Sequence, residues 1–400
     1  MDGWKTKTIG EAFKVVNGGT PKTGVSEYWD GQHQWITPAE MSGLSSPYIS
    51  SSRRTLTSAG LRAGAELIPN ESIILSTRAP IGHIVINEVP MAFNQGCKGL
   101  IPSEEIDSKF SYYFLLANIP LLESLGTGAT FKELSSGKLK EVLIKYPAKP
   151  EQRRIVAILD EAFEAIATAK ANAEKNLRNA RELFVSQREI LLTTPDSSWR
   201  EAPIGELCAI KHGYAFEGEF FASEGDHVLL TPGNFFEGGG YRDRGEKQKY
   251  FTGQIPADFV LSVGDLLVAM TEQAAGLLGS PLLVPESGQY LHNQRLGLVI
   301  PKGDVPWLNS FFFHVFNLNR VRAEIHASAS GAKVRHTSPT KIGAVRVAFP
   351  GNTEDQRSIA ERLEEISIEC DELAVGYQRK LAALDDLKKS LLHRAFTGQL

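Results

Sequence analysis

The sequence has 400 residues, with 43 lysines and arginines against 47 aspartates and glutamates, and a formal net charge of −4 at pH 7. A hydrophobic fraction of 42% beside 22% charged residues is ordinary for a globular protein, which excludes collagen-like, mucin-like and wholly disordered classes. No apolar run approaches the ~18 residues of a membrane span, and the first residues have no signal-peptide core, so the sequence predicts a cytoplasmic protein without membrane contact.

The chain repeats itself with a period of roughly 200 residues, the kind of internal similarity that decides a fold. The matching pairs are Trp4 to Glu11 with Trp199 to Glu206, Thr37-Pro38 with Thr231-Pro232, Asn94-Gln95 with Asn293-Gln294, and Gln152-Arg153 with Gln356-Arg357. Their order is kept and their spacing drifts slowly, as insertions into loops would produce. The sequence therefore predicts a duplicated architecture.

The first part of each repeat, residues 1–150 and 196–352, is rich in glycine, proline and short apolar runs. Turn residues bracket these runs, which predicts two globular domains made of short strands and a few helices. The clearest strands are predicted at 72–76, 83–86, 260–261, 266–269 and 343–348. One clear helix is predicted in each domain, at 108–118 and 307–325.

The second part of each repeat, residues 151–195 and 353–400, has a helical pattern almost free of glycine and proline. Apolar or small residues recur at spacings of three and four, which predicts the seam of a coiled coil. At 1.5 Å per residue, about 40 residues make a rod roughly 60 Å long. The first seam is Ile155, Leu159, Ala162, Ile166, Ala169, Ala173, Leu177, Ala180 and Phe184. The second is Ile359, Leu363, Ile366, Cys370, Leu373, Tyr377, Leu381, Leu384, Leu387 and Leu391.

Two rods separated by a globular domain can pair in antiparallel fashion, and the alternative is two long amphipathic surface helices. In the antiparallel pairing, residues 396–400 would meet residues 4–10, and the covalent segment 191–200 would make the same connection in the other half. The predicted fold class is therefore α+β, with two globular domains joined by an antiparallel coiled coil in a circular arrangement of approximate two-fold symmetry.

Signatures of catalysis and metal binding are missing from the sequence. There is no phosphate-binding G-x-x-x-x-G-K-[ST], no G-x-S-x-G elbow and no G-x-G-x-x-G opening a helix after a strand. The three cysteines, Cys97, Cys208 and Cys370, are far apart, and the nine histidines lack a two-ligand helical spacing, so neither disulfides nor a metal site are predicted. These features favour binding over catalysis, with no catalytic residue and no cofactor in this chain.

Basic glycine-containing loops are candidates for phosphate contact. Residues 325–353 contain no acid, and they carry Lys333, Arg335 and Lys341. The equivalent loop from Gly128 to Lys132 is also basic. Cations and glycines before a helix start suit a phosphate group, although a solvated loop is the alternative.

Other loops combine amide, guanidinium and aromatic groups that can read base pairs. Arginine can bond guanine through two atoms, and asparagine or glutamine can bond adenine in the same way. The alternative is that the asparagines and glutamines cap turns. The candidate DNA-binding residues are Thr37, Arg78, Asn94, Gln95, Lys98, Lys132, Tyr241, Arg242, Arg244, Lys247, Lys249, Gln273, Asn293, Gln294, Arg295, Lys333, Arg335 and Lys341.

Several motifs together resemble the specificity subunits of Type I restriction-modification systems, and the resemblance spans the whole chain. Two sequences open the long helices, Glu151-Gln152-Arg153-Arg154-Ile155 and Asp355-Gln356-Arg357-Ser358-Ile359. Others are Ala395 to Leu400, which reads AFTGQL, and the first-domain motifs Asn17 to Pro21, Tyr28 to Gly31 and Trp35 to Pro38. Two departures are visible: the first long helix lacks an AFTGQL-like ending, and Asn17 to Pro21 becomes Lys211 to Ala215. They put symmetric docking of partners in doubt.

The resemblance implies a non-catalytic subunit with two target-recognition domains, each reading half of a bipartite site in double-stranded DNA. Methyltransferase subunits would dock on the helices, bring S-adenosylmethionine and methylate adenine, and a nuclease-translocase subunit using ATP and Mg²⁺ is a further expected partner. The helices would act as a ruler, with half-sites about 34 Å apart. Inserting one helical turn into both rods should then change the spacer and leave the half-sites unchanged.

Two other classes stay open from the residues alone. One is a coiled-coil scaffold or adaptor that binds proteins and not DNA, which a missing DNA complex in the presence of partners would favour. The other is a subunit with catalysis in an unrecognised motif, which methyl transfer by the isolated chain would favour.

Overall fold

The computed structural model of the protein describes residues 3–44, 46–78, 80–128, 132–195, 197–273 and 275–400. The chain forms two compact units of mixed α and β structure. The first unit is Met1–Glu174 with Gln378–Leu400, and the second unit is Lys175–Tyr377. Both boundaries fall inside long helices, so each unit contains a globular domain and a part of both helices. The predicted α+β fold class is confirmed.

The first unit is built as follows. Its strands are β1 (Lys5–Thr8), β2 (Phe13–Asn17), β3 (Trp29–Ile36), β4 (Tyr48–Ile49), β5 (Arg54–Leu56), β6 (Ile73–Thr77), β7 (Ile81–Asn87), β8 (Met91–Phe93), β9 (Cys97–Pro102) and β10 (Leu143–Tyr146). Its helices are α1 (Ile9–Ala12), α2 (Pro38–Met41), α3 (Ser58–Gly64), α4 (Ser108–Ala117), α5 (Ile119–Leu125), α6 (Ser136–Glu141) and the start of α7 (Lys149–Thr193).

The second unit has a matching set of elements. Its strands are β11 (Trp199–Pro203), β12 (Cys208–His212), β13 (Phe221–Ala222), β14 (Val228–Leu230), β15 (Tyr250–Phe251), β16 (Leu266–Ala269), β17 (Thr271–Glu272), β18 (Pro281–Leu283), β19 (Tyr290–His292), β20 (Leu296–Pro301), β21 (Arg335–His336) and β22 (Arg346–Pro350). Its helices are α8 (Ile204–Leu207), α9 (Asn309–Phe316), α10 (Asn319–Ala327), α11 (Pro339–Gly343) and the start of α12 (Thr353–Phe396).

The sheet topology confirms the predicted duplication. In the first unit β1 pairs with β10, and β2-β9-β6-β7-β4 form a five-stranded sheet; in the second, β11 pairs with β22, and β12-β20-β16-β18 form a four-stranded sheet. The parallel pair β3·β8 has its counterpart in the parallel pair β14·β19. Even the register is shared, since Phe13 pairs with Pro102 and Cys208 pairs with Pro301.

Both long helices lie where the periodicity predicts them. The sequence predicts rods over 151–192 and 353–396, and α7 and α12 cover 149–193 and 353–396. In the first unit the two helices run antiparallel: Arg154 donates to the carbonyl of Leu400 at 2.7 Å, and Lys170 pairs with Asp385 at 2.7 Å. In the second unit Leu192, near the end of α7, shares a core with Ala360 and Leu363 near the start of α12.

The predicted seam is correct for α7 and needs two corrections for α12. All nine seam residues of α7 are buried or half-buried. On α12, however, Leu373 is 48% exposed and Leu387 is 47% exposed. Ala374 and Lys388 are half-buried in their place, and the Lys388 ammonium lies 5.0 Å from the ring centre of Phe163. In a straight helix, residues that follow a strict seven-residue repeat rotate gradually away from the partner helix. The contact therefore moves by one residue, from Leu373 to Ala374 and from Leu387 to Lys388.

The predicted connection between the end of one helix and the first strand of a domain is present in both units. In the first unit Trp4 and Phe396 both pack on Phe110, with ring centres 6.4 and 5.2 Å away. In the second unit, where the connection is covalent, Trp199 packs on Phe311 at 6.2 Å. The tryptophan that opens each repeat thus covers the equivalent phenylalanine.

Three local predictions were wrong in detail. The single helix expected at 307–325 is two helices, α9 and α10, because Leu318 adopts an extended backbone between Asn317 and Asn319 and buries its side chain. Asparagine has low helix propensity, which favours the break. The strand expected at 343–348 begins only at Arg346, after α11, and 260–261 contributes a single bridge to Leu291. The strands at 72–76, 83–86 and 266–269 correspond to β6, β7 and β16.

A buried glutamine joins each domain to its long helix, and it is the glutamine of the Gln-Arg motif. The Gln152 amide donates to the carbonyls of Pro147 and Glu105 at 2.8 and 2.9 Å, and its oxygen accepts from the Asp107 amide at 2.8 Å. The Gln356 amide donates to Pro350 and Pro306 at 3.2 and 2.9 Å. Its oxygen, in contrast, has no partner in the described part of the chain.

We expect Gln152→Ala to lower the free energy of unfolding by about 1–3 kcal/mol, because it leaves buried backbone groups of two segments without partners. Gln356→Ala is the matched control and should cost less, since that side chain makes fewer and longer bonds. Urea unfolding followed by tryptophan fluorescence measures both. Equal losses of unfolding free energy in the two variants would contradict the expected difference between Gln152 and Gln356.

Within the described ranges, no helix is long and apolar enough to cross a membrane. The same residues contain no cluster of three or more histidine, cysteine, aspartate or glutamate side chains that could hold a metal ion.

Candidate nucleic-acid interface

Four of the predicted site residues of the first unit meet in one cleft. This first cleft has a volume of about 400 Å³ and is lined by Thr37, Pro38, Ala39, Arg78, Asn94, Gln95 and Gly96. Residues from the ends of β3, β6 and β8 thus come together, although they are far apart in sequence. Arg78 and Gln95 are exposed in this cleft and can reach a ligand.

Thr37 and Asn94 shape the first cleft through their own hydrogen bonds. The amide and hydroxyl of Thr37 donate to Glu40 at 3.1 and 2.9 Å, which caps α2. The Asn94 side-chain oxygen accepts from the Gly96 amide at 3.0 Å and closes a turn. Asn94 therefore has the alternative role of capping a turn. Its side-chain NH₂ group takes no part in this hydrogen bond.

The same turn recurs in the second unit. The Asn293 side-chain oxygen accepts from the Arg295 amide at 3.0 Å, and Thr231 donates twice to Asn234 at 3.0 Å. A glycine passes close to each turn: a Cβ on Gly18 would lie 1.9 Å from the Asn94 carbonyl oxygen, and one on Gly213 would lie 2.2 Å from the Asn293 carbonyl oxygen. Only glycine fits at these two crossings.

A larger second cleft, of about 780 Å³, lies at the equivalent place in the second unit. It collects five of the predicted residues, Arg242, Arg244, Lys249, Gln273 and Arg295. Lys247 lines an adjoining cleft of about 500 Å³ that shares Arg242 and Arg244. None of these cations forms a salt bridge with another residue of the described second unit. Their charges are therefore available to a ligand.

The wall of the second cleft is held by a buried carboxylate, that of Glu272. Its side chain is 1% exposed and accepts from the backbone amides of Gly276, Leu277 and Leu278 at 3.0, 2.8 and 3.1 Å. The Arg335 guanidinium donates to the other oxygen at 3.0 Å. These bonds fix the loop that follows Gln273. Arg335, predicted to contact phosphate, thus has a structural partner.

We expect Glu272→Ala to destabilise the second unit by about 3–5 kcal/mol, because it leaves three amides and the Arg335 charge without their partner. Glu237→Ala is the matched control, since Glu237 is an exposed acid in the same cleft, and it should change stability by less than about 0.5 kcal/mol. Thermal or urea unfolding of both variants measures the difference. A tolerated Glu272→Ala would mean that water replaces the carboxylate.

Two buried histidines of the second unit have strongly shifted pKa values. Burial lowers the pKa of His292 to about 4, and its Nε2 bonds the Leu296 carbonyl at 3.0 Å across the Asn293 turn. Burial, with a smaller contribution from the Arg188 charge, lowers the pKa of His314 to about 4. Both imidazoles are therefore neutral at pH 7.

The other predicted residues lie outside the two clefts. Lys98 is buried in β9, where it pairs with Asn17, and Tyr241 packs edge-on against Tyr290 at 5.5 Å. Asn293 is buried, whereas Gln294, Lys132 and Lys333 are exposed. The Lys341 ammonium donates to Ser330 at 3.4 Å. Of the predicted basic loop from Gly128 to Lys132, residues 129–131 lie outside the described residues.

One exposed cation beside the first cleft was missed from the sequence. The Arg53 amide donates to Glu40 at 2.7 Å, the same carboxylate that caps Thr37, so Arg53 lies at the margin of the cleft. Its neighbour Arg54 stacks on Trp29 with 3.5 Å between the guanidinium carbon and the ring centre. The paired arginines after a run of serines were the available signal.

Comparison with known proteins shows a similarity over the first part of the chain. The family described as Type I restriction modification DNA specificity domain matches residues 1–177. The Type I restriction enzyme MjaIX specificity subunit of Methanocaldococcus jannaschii is 34% identical over 184 residues, which cover 45% of this chain and 43% of that protein. The EcoR124I/EcoR124II specificity subunit of Escherichia coli is 30% identical over 197 residues, covering 47% and 48%. The matches span less than half the length of these relatives.

Solved structures share the fold of the chain. A chain from a structure of a type I R-M system has a TM-score of 0.78 at 18% identity, covering 100% of this chain and 99% of that one. The HsdS subunit from Thermoanaerobacter tengcongensis has a TM-score of 0.65 at 17% identity, covering 100% and 98%. At these identities the likeness concerns the fold alone.

Proposed function

We infer that this chain, whose residues 1–177 match the family described as Type I restriction modification DNA specificity domain, is a DNA sequence-recognition subunit. Each of the two clefts would read one half of a split site in double-stranded DNA. Arginine and glutamine side chains at the cleft surfaces suit the edges of guanine and adenine in the major groove. The similarity to specificity subunits disfavours the alternative of a scaffold that binds only proteins.

One observation carries this proposal: the two clefts share a backbone plan and differ in the side chains they present. Thr77 and Met270 are equivalent, since the Thr77 amide donates to the carbonyl of Gly96 and the Met270 amide donates to that of Arg295. The next residue is Arg78 in the first unit and Thr271 in the second, and both line their clefts. Conversely, Gly96 stands in the first turn where Arg295 stands in the second, two residues after the capping asparagine. The guanidinium beside the turn thus comes from Arg78 in the first cleft and from Arg295 in the second, so the two clefts present it at different places. Two different half-sites, and hence an asymmetric target, follow from this difference.

Phosphate contacts would come from the cations around the clefts. The side chains of Arg53 beside the first cleft and Lys247 beside the second are exposed. The near-neutral net charge of the chain predicts weak binding of DNA by the chain alone. We therefore propose that partner subunits enclose the duplex and supply most of the phosphate contacts.

Catalysis is assigned to these partners. Methyltransferase subunits that dock on α7 and α12 would bring S-adenosylmethionine, and a nuclease-translocase subunit would bring ATP and Mg²⁺. This chain would hold no cofactor and work in the cytoplasm, positioning the target adenine for the partner.

Methylation mapping tests the proposal. The chain is co-expressed with a methyltransferase subunit, and methylated adenines are mapped across the genome. We expect one split motif, with Arg78→Ala altering only one half and Gln273→Ala with Arg295→Ala altering only the other. A folded complex that methylates no defined site would overturn the proposal.

A further inference from the structure

A second kind of pocket lies in the second unit, on residues that the proposed DNA clefts do not use. Its volume is about 430 Å³, and its lining combines aromatic, polar and aliphatic residues: Tyr214, Glu217, Phe220, Phe251, Gln254, Ile255 and Pro256. We name it the aromatic pocket. Tyr214 and Phe220 are each 39% exposed, while Phe251 is buried behind them.

The exposed rings are fixed in place before any ligand arrives. Tyr214 packs edge-on against Phe216 with ring centres 5.1 Å apart, and Phe220 packs edge-on against Phe251 at 5.9 Å. A Cβ on Gly253 would lie 2.7 Å from the Phe220 ring, so the ring rests directly on the glycine backbone. Two aromatic faces therefore stand open to solvent in a preformed wall, which reduces the entropy cost of binding.

Among the residues that line the aromatic pocket, Glu217 is charged, and none is a lysine or arginine. Four exposed acids lie within ten residues, Glu217, Glu219, Glu224 and Asp226, and no lysine or arginine occurs in the sequence between Gly213 and Gly240. Such a surface repels phosphate groups, which separates it from the basic second cleft. The ligand that complements it carries positive charge.

This aromatic cluster already accommodates cations of the chain itself. The Lys249 ammonium lies 5.4 Å from the ring centre of Phe221, and the Lys211 ammonium lies 4.7 Å from that of Phe259, which contacts Tyr214. Cations over aromatic faces gain about 0.5–2 kcal/mol, more when they are desolvated. Among the described residues, no lysine or arginine lies over the ring of Tyr214 or Phe220.

We propose that the aromatic pocket binds an arginine side chain from a basic segment of a protein partner. The planar guanidinium would stack on Tyr214 and Phe220, and its N–H groups would donate to the Glu217 carboxylate and the Gln254 carbonyl oxygen. Arginine suits this arrangement better than lysine, because its flat, weakly hydrated group stacks and donates at once. The aromatic pocket shares no lining residue with the DNA clefts, so this inference does not depend on the proposed function.

Titration of the full-length chain with a Gly-Arg-Gly-Arg-Gly peptide, followed by calorimetry or NMR, tests this site. The probe for comparison is the same peptide with citrulline in place of arginine, which keeps the shape and removes the charge. We expect binding of the arginine peptide alone, weakened at least fivefold by Glu217→Gln and by Tyr214→Ser. Glu224→Gln removes the same charge outside the pocket and should change binding less than twofold.

Three results would overturn the proposal. Equal weakening by Glu217→Gln and Glu224→Gln would indicate general attraction to an acidic surface. Equal binding of the citrulline peptide would remove the need for a cation. Binding of a single-stranded oligonucleotide that depends on Tyr214 would make the pocket a platform for an unstacked base.

Discussion

Replacing Arg242 and Arg244 together by alanine should reduce the affinity of the assembled complex for its target DNA by about 100-fold or more. Each guanidinium that bonds a base is worth about 1–3 kcal/mol, and both line the second cleft without an ion pair in the described second unit. The Arg242 amide is held by the Asn234 carbonyl at 2.7 Å, which fixes the loop that presents both side chains. The loss should therefore come from missing contacts and not from unfolding.

Salt dependence separates base contact from phosphate contact in this experiment. Affinity for a labelled duplex is measured by anisotropy at several salt concentrations. A lost phosphate contact lowers the slope of log affinity against log salt by about 1, whereas a lost base contact leaves the slope and relaxes specificity. Arg200→Ala removes an exposed arginine of the same unit outside the clefts and is the matched control. If it weakens binding as much as the double variant, the cleft is not the site of recognition.

Acidification from pH 7 to pH 4.5 should lower the free energy of unfolding of the second unit, mainly through His292 and His314. Burial lowers the pKa of both from 6.5 to about 4 in the folded protein. Between pH 6.5 and pH 4 the unfolded chain therefore binds more protons than the folded one, and stability falls as the pH falls. Above pH 6.5 both states are neutral and this stability is complete. The shift corresponds to about 3 kcal/mol for each histidine.

Urea unfolding at pH 7 and pH 4.5 measures this dependence. The double variant His292→Phe with His314→Phe should lose much less stability between the two pH values than the wild type. His336→Gln, which removes an exposed histidine from the same unit, should behave like the wild type. Parallel losses in all three proteins would show that acidic side chains, and not these two imidazoles, set the acid sensitivity.

Periodicity and internal repetition were enough to predict the long helices and the duplicated domains. Both signals are local or directly comparable along the chain, since a 3.6-residue pattern needs only neighbouring residues. The break at Leu318 and the exposure of Leu373 were not predictable in this way. They depend on which residues of a second element stand opposite, as Phe163 does for Lys388.

The sequence predicted which types of residue form the candidate site, but only partly where in the fold each of them lies. Asn94 and Asn293 were found because they repeat, and Arg242 because cations cluster around it. That Arg78 and Thr37 line one cleft depends on the order of strands in two sheets, which the sequence does not express. The structural role of Glu272 could not be predicted for the same reason, because its partner Arg335 lies more than sixty residues away in the sequence.

The division of the chain into units has a consequence for the order in which they form during synthesis. The second unit is continuous in sequence, whereas the first is interrupted by it and contains Gln378–Leu400. Leu392 and Ala395 are buried in the core that Phe110 occupies, so this core stays incomplete until the ribosome has made the last part of α12. The first unit therefore starts to be synthesised before the second and is completed after it. While the second unit is being translated, the exposed apolar residues of the incomplete first unit must not aggregate. A premature stop after residue 377 would damage the first unit while the second was still whole.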